Sequence, residues 1–276
     1  MTDSSLPAKD YDTFRKYLED ACGIVLGENK HYLVTSRLKR VTEEFSFPSL
    51  TEMMQSLTSG NDRKLREKVI DAMTTNETMW FRDTYPFEIL KNDLYPELGK
   101  SRQPVRIWSA ASSTGQEAYS ISMTTSEFQQ SRPGVLSADV EIVGTDISQT
   151  VVNQAKKAEY DELSVIRGLS PERRDRFFTR QGDHWQVKPD ITRRTRFTEL
   201  NLLNNYSLLG KFDIIFCRNV LIYFSSELKT DILERMAQIL KPNGYLILGG
   251  SESPTGYTKA FEMVRFSSGV VYRLKS

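Results

Sequence analysis

Two apolar segments, each followed by a polar turn, most constrain the fold of this 276-residue chain. The first, Val105–Ser109, leads through a turn of small residues into a helical pattern, Gln116–Phe128. The second, Glu141–Thr145, ends at Asp146. In a doubly wound α/β sheet a cofactor lies across the carboxyl ends of such strands, and an acid after the second strand can bind ribose hydroxyls. The pattern therefore predicts a Rossmann-like α/β sheet with Asp146 beside a ribose.

The first turn indicates the kind of cofactor. It contains one glycine, Gly115, and lacks the G-x-G-x-x-G pattern that cradles a pyrophosphate at a helix N-terminus. A nucleoside without phosphates fits better, and S-adenosylmethionine is one, with an amino group that Glu117 could bind. The alternative is an ordinary strand-to-helix turn with a solvated Glu117, because one short motif is a weak signal.

Length and composition limit the number of domains and the kinds of ligand and location to expect. The chain exceeds an average domain of about 150 residues, which predicts one large and one smaller domain. A formal net charge of +1 gives no basic footprint for nucleic acid. Cys22 and Cys217 are far apart in apolar surroundings, which is typical of buried, reduced thiols in a cytoplasmic protein. Because no apolar run is long enough to span a bilayer, we expect no membrane insertion.

The two histidines exclude several kinds of site. His31 and His184 have no cysteine or second histidine at ligand spacing, so neither a zinc site nor a Ser-His-Asp triad is expected. The sequence therefore predicts no metal, and any chemistry would have to work without imidazole.

The N-terminal residues 1–75 form the smaller predicted domain. Gly, Pro and Ser/Thr residues separate four short helical patterns: Asp10–Ala21, Lys30–Glu44, Ser49–Ser59 and Asp62–Thr75. The second of these carries a basic strip: Lys30, Arg37, Lys39 and Arg40. From the residues alone we interpret the strip as a solvated face partly paired with Glu43 and Glu44, and a receiving surface for an acidic helical partner is the alternative.

The larger predicted domain, residues 76–276, begins with a linker, residues 76–100. Its first eight residues, Asn76–Asp83, mix aromatic and polar side chains where a plain linker would be polar, and a helical pattern, Tyr85–Leu98, follows. Strand and helix patterns then alternate, except in an insertion of about residues 159–196. There the sequence predicts a helix near Ser170–Phe178 and one strand, Asp183–Lys188.

The alternation resumes after the insertion. The patterns predict strands at Thr195–Leu200, Phe212–Cys217 and Tyr245–Leu248, a helix at Ser225–Leu240 and a closing β-hairpin from Phe261 to Leu274.

Six ordered segments carry a more specific signal. They are Asn76–Arg82, Ala111–Ser120, Gly144–Ile147, Asn201–Leu203, Phe216–Phe224 and Gly249–Glu252. Together they resemble the chemotaxis receptor methyltransferases, the CheR family, and the resemblance runs nearly end to end. It implies a small all-helical N-terminal domain, a class I methyltransferase sheet and a small β-insertion that in this family holds a receptor tail.

The resemblance also implies an activity and a set of site residues. The family methylates glutamate side chains on the cytoplasmic helical bundle of chemoreceptors, and S-adenosylmethionine becomes S-adenosylhomocysteine. The cofactor contacts it implies are Asn76, Thr78, Arg82, Glu117, Asp146, Asn201, Leu202, Arg218 and Asn219. Tyr223 corresponds to the tyrosine beside the transferring methyl. Gln116 stands where many members have a second acid, and Trp80 where phenylalanine is usual.

These residue types suit methyl transfer to a carboxylate. A glutamate with an ordinary pKa of about 4.3 is ionised at neutral pH, so no general base is needed. Catalysis then depends on orientation, which can contribute roughly 7 to 11 kcal/mol at most, and on the removal of water. We predict Arg82 and Tyr223 as the orienting catalytic residues: Arg82 can bind a carboxylate with two hydrogen bonds, and the Tyr223 hydroxyl can donate one. A tyrosine packed under the sheet is the alternative for Tyr223.

Two rival functions remain at this point. One is a methyltransferase of similar fold acting on nucleic acid or a small molecule, and the other is a non-catalytic module that binds the cofactor or its product. The low net charge disfavours nucleic acid, and the presence of both Arg82 and Tyr223 favours an enzyme. We expect a monomer whose partner is the cytoplasmic helical bundle of a chemoreceptor. The resemblance favours the basic strip, Lys30, Arg37, Lys39 and Arg40, as the surface that receives this bundle.

Overall fold

The computed structural model describes residues 6–60 and 62–275. It divides into two compact units: Met1–Thr75 with Tyr223–Leu228, and Asn76–Ile222 with Lys229–Ser276.

In the described part of the smaller unit there are four helices: α1 (Ala8–Cys22), α2 (His31–Glu44), α3 (Leu50–Ser59) and α4 (Arg63–Met73). Their starts follow local chemistry, because the Ser49 and Asp62 side chains accept hydrogen bonds from backbone N–H groups in the first turns of α3 and α4. Helix α2 buries Val34, Leu38 and Val41, which recur at helical spacing. The four predicted helical patterns are therefore confirmed within one or two residues at each end.

A later segment, Tyr223–Leu228, belongs to the same unit. The Val25 N–H donates to the Tyr223 carbonyl at 2.9 Å. Gly23, which ends α1 with φ of 78°, faces this segment so closely that a Cβ there would lie 2.5 Å from the Leu228 side chain. Glycine is therefore required at position 23 for both backbone conformation and packing.

The larger unit begins with a helical run that has a π-helical turn, Leu90–Leu94, between α5 (Tyr85–Ile89) and α6 (Tyr95–Leu98). The remaining helices are α7 (Gln116–Ser131), α8 (Gln149–Lys157), α9 (Glu162–Ile166), α10 (Pro171–Phe177), α11 (Pro189–Thr192) and α12 (Ser226–Ile239). The strands are β1 (Val105–Ala110), β2 (Val140–Asp146), β3 (Glu159–Asp161), β4 (Phe178–Gln181), β5 (His184–Val187), β6 (Thr195–Glu199), β7 (Phe212–Cys217), β8 (Leu240–Leu248), β9 (Phe261–Phe266) and β10 (Gly269–Leu274).

Seven of these strands form one sheet in the order β6-β2-β1-β7-β8-β10-β9. The five neighbouring strands β6, β2, β1, β7 and β8 are parallel. The β9–β10 hairpin extends the sheet, with β10 antiparallel to β8. The chain therefore turns from one side of β1 to the other between β6 and β7. Ligands bind at such a switch point, beyond the carboxyl ends of the strands.

The strands read as continuous apolar runs because both faces of the sheet are covered. Ile107, Ile214 and Ile247 on one face are fully buried. Trp108, Ile215 and Leu246 on the other face are fully buried as well. Parallel sheets have this pattern when helices pack on both sides. The predicted Rossmann-like class is confirmed.

The insertion is a separate three-stranded antiparallel sheet in the order β3-β5-β4. The sequence predicts only the middle strand. Strands β3 and β4 have three and four residues, too few to show alternation, so they escaped prediction. The last predicted residues of the insertion belong to the main sheet, because β6 begins at Thr195.

Candidate functional site

The turn between β1 and α7 brings the backbone to the carboxyl edge of the sheet. Ala111, Ser113 and Gly115 have φ values of 55°, 50° and 96°. The Ser112 N–H donates to the Thr145 carbonyl at 2.8 Å, which ties this turn to β2. Of these three residues only Gly115 is a glycine, so the turn places small side chains on a left-handed backbone.

The Asp146 carboxylate lies next to this turn. It is 5% exposed, its Oδ2 accepts from the Ser113 N–H at 2.8 Å, and its Oδ1 accepts from the Ser148 N–H at 3.0 Å. A carboxylate has about four acceptor positions, and two backbone donors are enough to fix its plane. Asp146 is therefore an oriented acid at the carboxyl edge of the sheet, and its contact with a ribose stays a prediction.

An ion-pair network around the buried Arg218 joins the linker, the first turn of α7 and the end of β7. The guanidinium of Arg218, whose side chain is 2% exposed, lies 2.9 Å from a Glu117 oxygen and 2.7 Å from an Asp83 oxygen. It also donates to the Arg82 carbonyl at 2.8 Å. The other Glu117 oxygen accepts from the Ser109 hydroxyl at 2.7 Å. Two carboxylates share this guanidinium, which leaves negative charge that suits a cationic amine.

The same geometry limits what Arg218 itself can do. Its two terminal nitrogens donate to protein groups, and its Nε is buried without a hydrogen-bond partner in the part of the chain that the structure describes. Its side chain therefore holds Glu117 and Asp83 in place. A direct cofactor contact from Arg218, as the resemblance implies, would use its backbone.

The linker residues lie over the first turn and α7. The Ser113 hydroxyl donates to the Asn76 carbonyl at 3.0 Å, and the Phe81 N–H donates to the Ser120 hydroxyl at 3.1 Å. Arg82 is half-buried, and its Nη1 donates to the Glu77 carbonyl at 3.1 Å. Thr78 is also half-buried. The structure thus brings Asn76 and Arg82 to the edge that carries Asp146 and Glu117. The cofactor contact of Thr78 stays a prediction.

Trp80 explains the aromatic content of this linker. It is fully buried, its indole N–H donates to the Ser164 carbonyl at 3.0 Å, and its ring packs edge-on against Tyr160 and Phe178. A Cβ at Gly168 would lie 2.2 Å from the Trp80 carbonyl oxygen, so the insertion approaches the linker closely. Trp80 is an anchor, and the indole N–H adds a hydrogen bond that phenylalanine would lack.

The loop after β6 holds Asn201 and Leu202. The Leu203 N–H donates to the Asn201 side chain at 3.0 Å. From α12, Arg235 donates to the carbonyls of Leu202 at 2.8 Å and Asn204 at 2.6 Å. These bonds fix the backbone of a loop that leaves the carboxyl end of the sheet.

Two further predicted residues follow β7. Asn219 is half-buried and has φ of 58°, a conformation that asparagine tolerates better than most residues. Tyr223 ends a short 3₁₀ helix, Leu221–Tyr223, and is half-buried. Its role beside the transferring methyl stays a prediction.

Gln116 has a local partner. Its side-chain oxygen accepts from the Thr114 hydroxyl at 2.8 Å, and the residue is 5% exposed. The amide therefore stabilises the first turn and adds no charge to it.

The predicted basic strip on α2 divides into two kinds of residue. Lys30, Lys39 and Arg40 are exposed. Arg37 is half-buried and donates to the Met73 carbonyl at 2.7 Å and to the Thr75 hydroxyl at 3.0 Å. Arg37 therefore secures the end of α4, and the exposed cations are Lys30, Lys39 and Arg40.

Both cysteines are free and buried, as expected. Burial raises the pKa of the Cys22 thiol to about 11 and that of the Cys217 thiol well above its ordinary value. Cys217 directly precedes Arg218 at the end of β7, yet it stays a neutral thiol at physiological pH and is no candidate nucleophile.

Several site residues escaped sequence reasoning. Asp83, Ser109, Arg235 and Glu252 received no role, although Asp83 and Glu252 each end a segment that the sequence singles out. For Asp83 and Glu252, the position of a charged residue at the end of a recognised segment was the signal that could have identified them. Apart from Gly249, which bonds Glu252, and Asp231, which pairs with Arg235, their partners lie between 8 and 135 residues away, which local patterns do not reveal.

Within the described residues, no helix is both long enough and apolar enough to cross a membrane.

Comparison with known proteins identifies the family. A family model described as the CheR methyltransferase SAM binding domain matches residues 76–270, and the CheR methyltransferase all-alpha domain matches residues 9–74. A chemotaxis protein methyltransferase from Vibrio parahaemolyticus is 51% identical over 276 residues, which is 100% of both chains. Chemotaxis protein methyltransferase 1 from Pseudomonas aeruginosa is 53% identical over 269 residues, 96% of this chain and 98% of that one.

A more distant relative shows the same pattern. The chemotaxis protein methyltransferase of Salmonella typhimurium is 34% identical over 246 residues, 87% of this chain and 82% of that one. Both parts of the chain are thus matched, and the six segments named from the sequence fall within the matched regions. The chain belongs to the CheR methyltransferase family.

Proposed function

We propose that this methyltransferase transfers the methyl group of S-adenosylmethionine to glutamate side chains of a chemoreceptor, giving glutamate methyl esters and S-adenosylhomocysteine. One observation carries the cofactor assignment: Asp146, at the end of β2, is oriented by two backbone N–H groups beside a turn without a phosphate-binding pattern. The family membership supports the acceptor, because the relatives with half or more identical residues are named chemotaxis protein methyltransferases.

The residues at this edge suit the proposed cofactor. Asp146 would bind the ribose, and Glu117, held by Arg218, would bind the amine of the amino-acid end. Arg82, which is half-buried, would bind a carboxylate. The bound cofactor supplies an activated methyl group, and the acceptor glutamate is already ionised at neutral pH. The protein's contribution is then to orient the reactants and to exclude water. The Tyr223 hydroxyl would donate a hydrogen bond to the acceptor glutamate.

The test is transfer of labelled methyl from S-adenosylmethionine to a purified chemoreceptor signalling fragment. We expect label that is released as methanol by base and that disappears when the fragment's methylated glutamates are changed to glutamine. Base-stable label would refute the carboxylate as acceptor. Tight binding of S-adenosylhomocysteine without any transfer would favour a regulatory module instead.

We further propose that the basic strip receives the receptor helix. Methylated receptor segments are helical and acidic, and charge complementarity raises the rate of association. Lys30, Lys39 and Arg40 are the exposed members, and Arg37 contributes by holding the end of α4. The enzyme would act as a monomer in the cytoplasm, where the receptor's helical bundle lies.

A charge-reversal variant tests this surface. Lys39→Glu with Arg40→Glu should raise the KM for the receptor fragment by about tenfold at low salt and by less at high salt, because exposed charges are screened. Lys64→Glu, an exposed cation on α4, is the matched control. An unchanged KM at low salt would remove the basic strip from the docking surface.

A further inference from the structure

Glu252 makes an unusual set of contacts for a residue without an assigned role. Its side chain reaches back from the segment after β8 to the segment after β7. One oxygen accepts from the N–H groups of Asn219 at 2.7 Å and Gly249 at 2.8 Å. The other accepts from the N–H groups of Val220 at 3.0 Å and Ile222 at 3.3 Å. One carboxylate thus collects four backbone donors.

These contacts determine the path of the chain after β7. Three of the four donors belong to the stretch from Asn219 to Ile222, which directly precedes Tyr223. An ionised carboxylate is the side chain that can accept this many hydrogen bonds at once, since it has about four acceptor positions and no donor. Glu252 therefore stabilises a turn whose backbone N–H groups point inward, at the carboxyl edge of the sheet.

The neighbouring glycine shows how tightly the contact is built. A Cβ at Gly249 would lie 2.7 Å from the Glu252 Oε2, 2.8 Å from the Asn219 Nδ2 and 3.0 Å from the Asn219 backbone nitrogen. Close approach of the two segments thus requires glycine at position 249. Asn219 has a left-handed φ of 58°, which asparagine tolerates, and its N–H is held by the Glu252 carboxylate.

We propose that Glu252 is a positioning residue for the cofactor site: its carboxylate holds the backbone of Asn219 in the conformation that presents the Asn219 side chain to the cofactor. The proposal rests on the proposed function for the role of Asn219. Its test measures binding of S-adenosylhomocysteine directly and does not depend on methyl transfer.

The decisive variant is Glu252→Gln, which keeps the shape of the side chain. Its amide has one acceptor oxygen and one donor group, so two of the four N–H groups would face another donor. We expect the Kd for S-adenosylhomocysteine, measured by calorimetry, to rise by about fivefold or more. Glu262→Gln, which removes an acid paired with Arg273 on β10, is the matched control and should leave the Kd within about twofold.

A double-mutant cycle separates positioning from general destabilisation. Asn219→Gly removes the side chain while allowing the left-handed backbone. If Glu252 acts through Asn219, Glu252→Gln should raise the Kd by less than about twofold in the Asn219→Gly background, because coupled residues are non-additive. The binding stoichiometry counts folded chains in every variant, so a partly unfolded sample does not imitate the effect.

Two results would overturn the proposal. One is a Kd of Glu252→Gln within about twofold of the wild type, and the other is an equal effect of Glu252→Gln in both backgrounds. A wild-type protein that binds S-adenosylhomocysteine but methylates no receptor would contradict the proposed function, while the Kd series would still decide the role of Glu252.

Discussion

Arg218 and Glu117, 101 residues apart in sequence, form an ion pair at 2.9 Å that joins the end of β7 to the first turn of α7. Because the Arg218 side chain is almost completely buried and also binds Asp83, its position is fixed by protein contacts alone. The pair therefore holds the Glu117 carboxylate in one orientation before any ligand arrives. A preorganised carboxylate binds a cationic amine without an ordering cost.

We expect Glu117→Gln to weaken binding of S-adenosylhomocysteine by about tenfold, the loss of one charge-assisted hydrogen bond. Binding of methylthioadenosine, which lacks the amino-acid end, should be unchanged. Calorimetry with both ligands checks this. Equal losses for the two ligands would mean that Glu117 does not contact the amine.

Asp146→Asn should weaken both ligands, because both carry the ribose. Asparagine has one acceptor oxygen, so it also loses one of the two backbone bonds that orient Asp146. We expect a roughly tenfold to hundredfold higher Kd for each ligand. Asp183→Asn, in the exposed turn between β4 and β5, is the control. Unchanged affinity for methylthioadenosine in Asp146→Asn would contradict the ribose assignment.

Tyr223→Phe tests orientation of the acceptor. If the hydroxyl donates to the acceptor glutamate, removing it should lower kcat for receptor methylation by about tenfold to hundredfold and leave the Kd for S-adenosylhomocysteine unchanged. Arg82→Ala should instead raise that Kd, because its expected partner is the cofactor's carboxylate. A wild-type kcat in Tyr223→Phe would leave the tyrosine with a packing role.

The main sheet and the predicted cofactor site at its carboxyl edge could be predicted because the sequence patterns that indicate them are local. The apolar run Val105–Ser109, the turn at Gly115 and the acid Asp146 each identify themselves within a few residues, and every strand of the main sheet has five or more residues. The strands β3 and β4 of the insertion could not be predicted, since they are too short for alternation to appear.

Contacts between side chains and distant backbone groups could not be predicted from the sequence either. Helical spacing places Arg37 beside the buried stripe of α2, but only the path of the chain shows that it reaches the carbonyl of Met73. Likewise, a Glu at position 252 says nothing of the four N–H groups around it. Partners of this kind depend on backbone positions that separate segments acquire only on folding.

Arg235→Ala should weaken binding of the adenosine part of the cofactor, because Arg235 holds the carbonyls of Leu202 and Asn204 in the loop after β6. We expect the Kd values for S-adenosylhomocysteine and methylthioadenosine to rise together by about threefold to tenfold. Lys229→Ala removes a cation from the same helix and is the control. Affinities equal to those of the wild type would mean that the loop keeps its shape without Arg235.

Arg173 should contribute pH-dependent stability to the larger unit. It binds Glu127 at 2.7 Å and lies 3.7 Å from the centre of the Phe81 ring. Burial by itself would raise the pKa of Glu127, but Arg173 and Lys91 outweigh it and hold the pKa below the ordinary value of a glutamate. A carboxyl whose pKa is lowered by folding stabilises the protein above that ordinary value, and the contribution is lost as the pH falls through the lower, folded-state pKa.

Arg173→Met keeps a long apolar side chain over Phe81 and removes the charge. We expect the free energy of unfolding to fall by about 2 kcal/mol near neutral pH, because Glu127 is 10% exposed and loses its main partner. The difference from the wild type should shrink as the pH falls from the ordinary glutamate pKa through the lower pKa of the folded protein, where Glu127 takes up its proton. Urea unfolding followed by tryptophan fluorescence measures this, since Trp80, Trp108 and Trp185 all lie in the larger unit. Arg265→Met, on the exposed side of β9, is the control, and a pH-independent difference for Arg173→Met would show that its effect comes from packing on Phe81 alone.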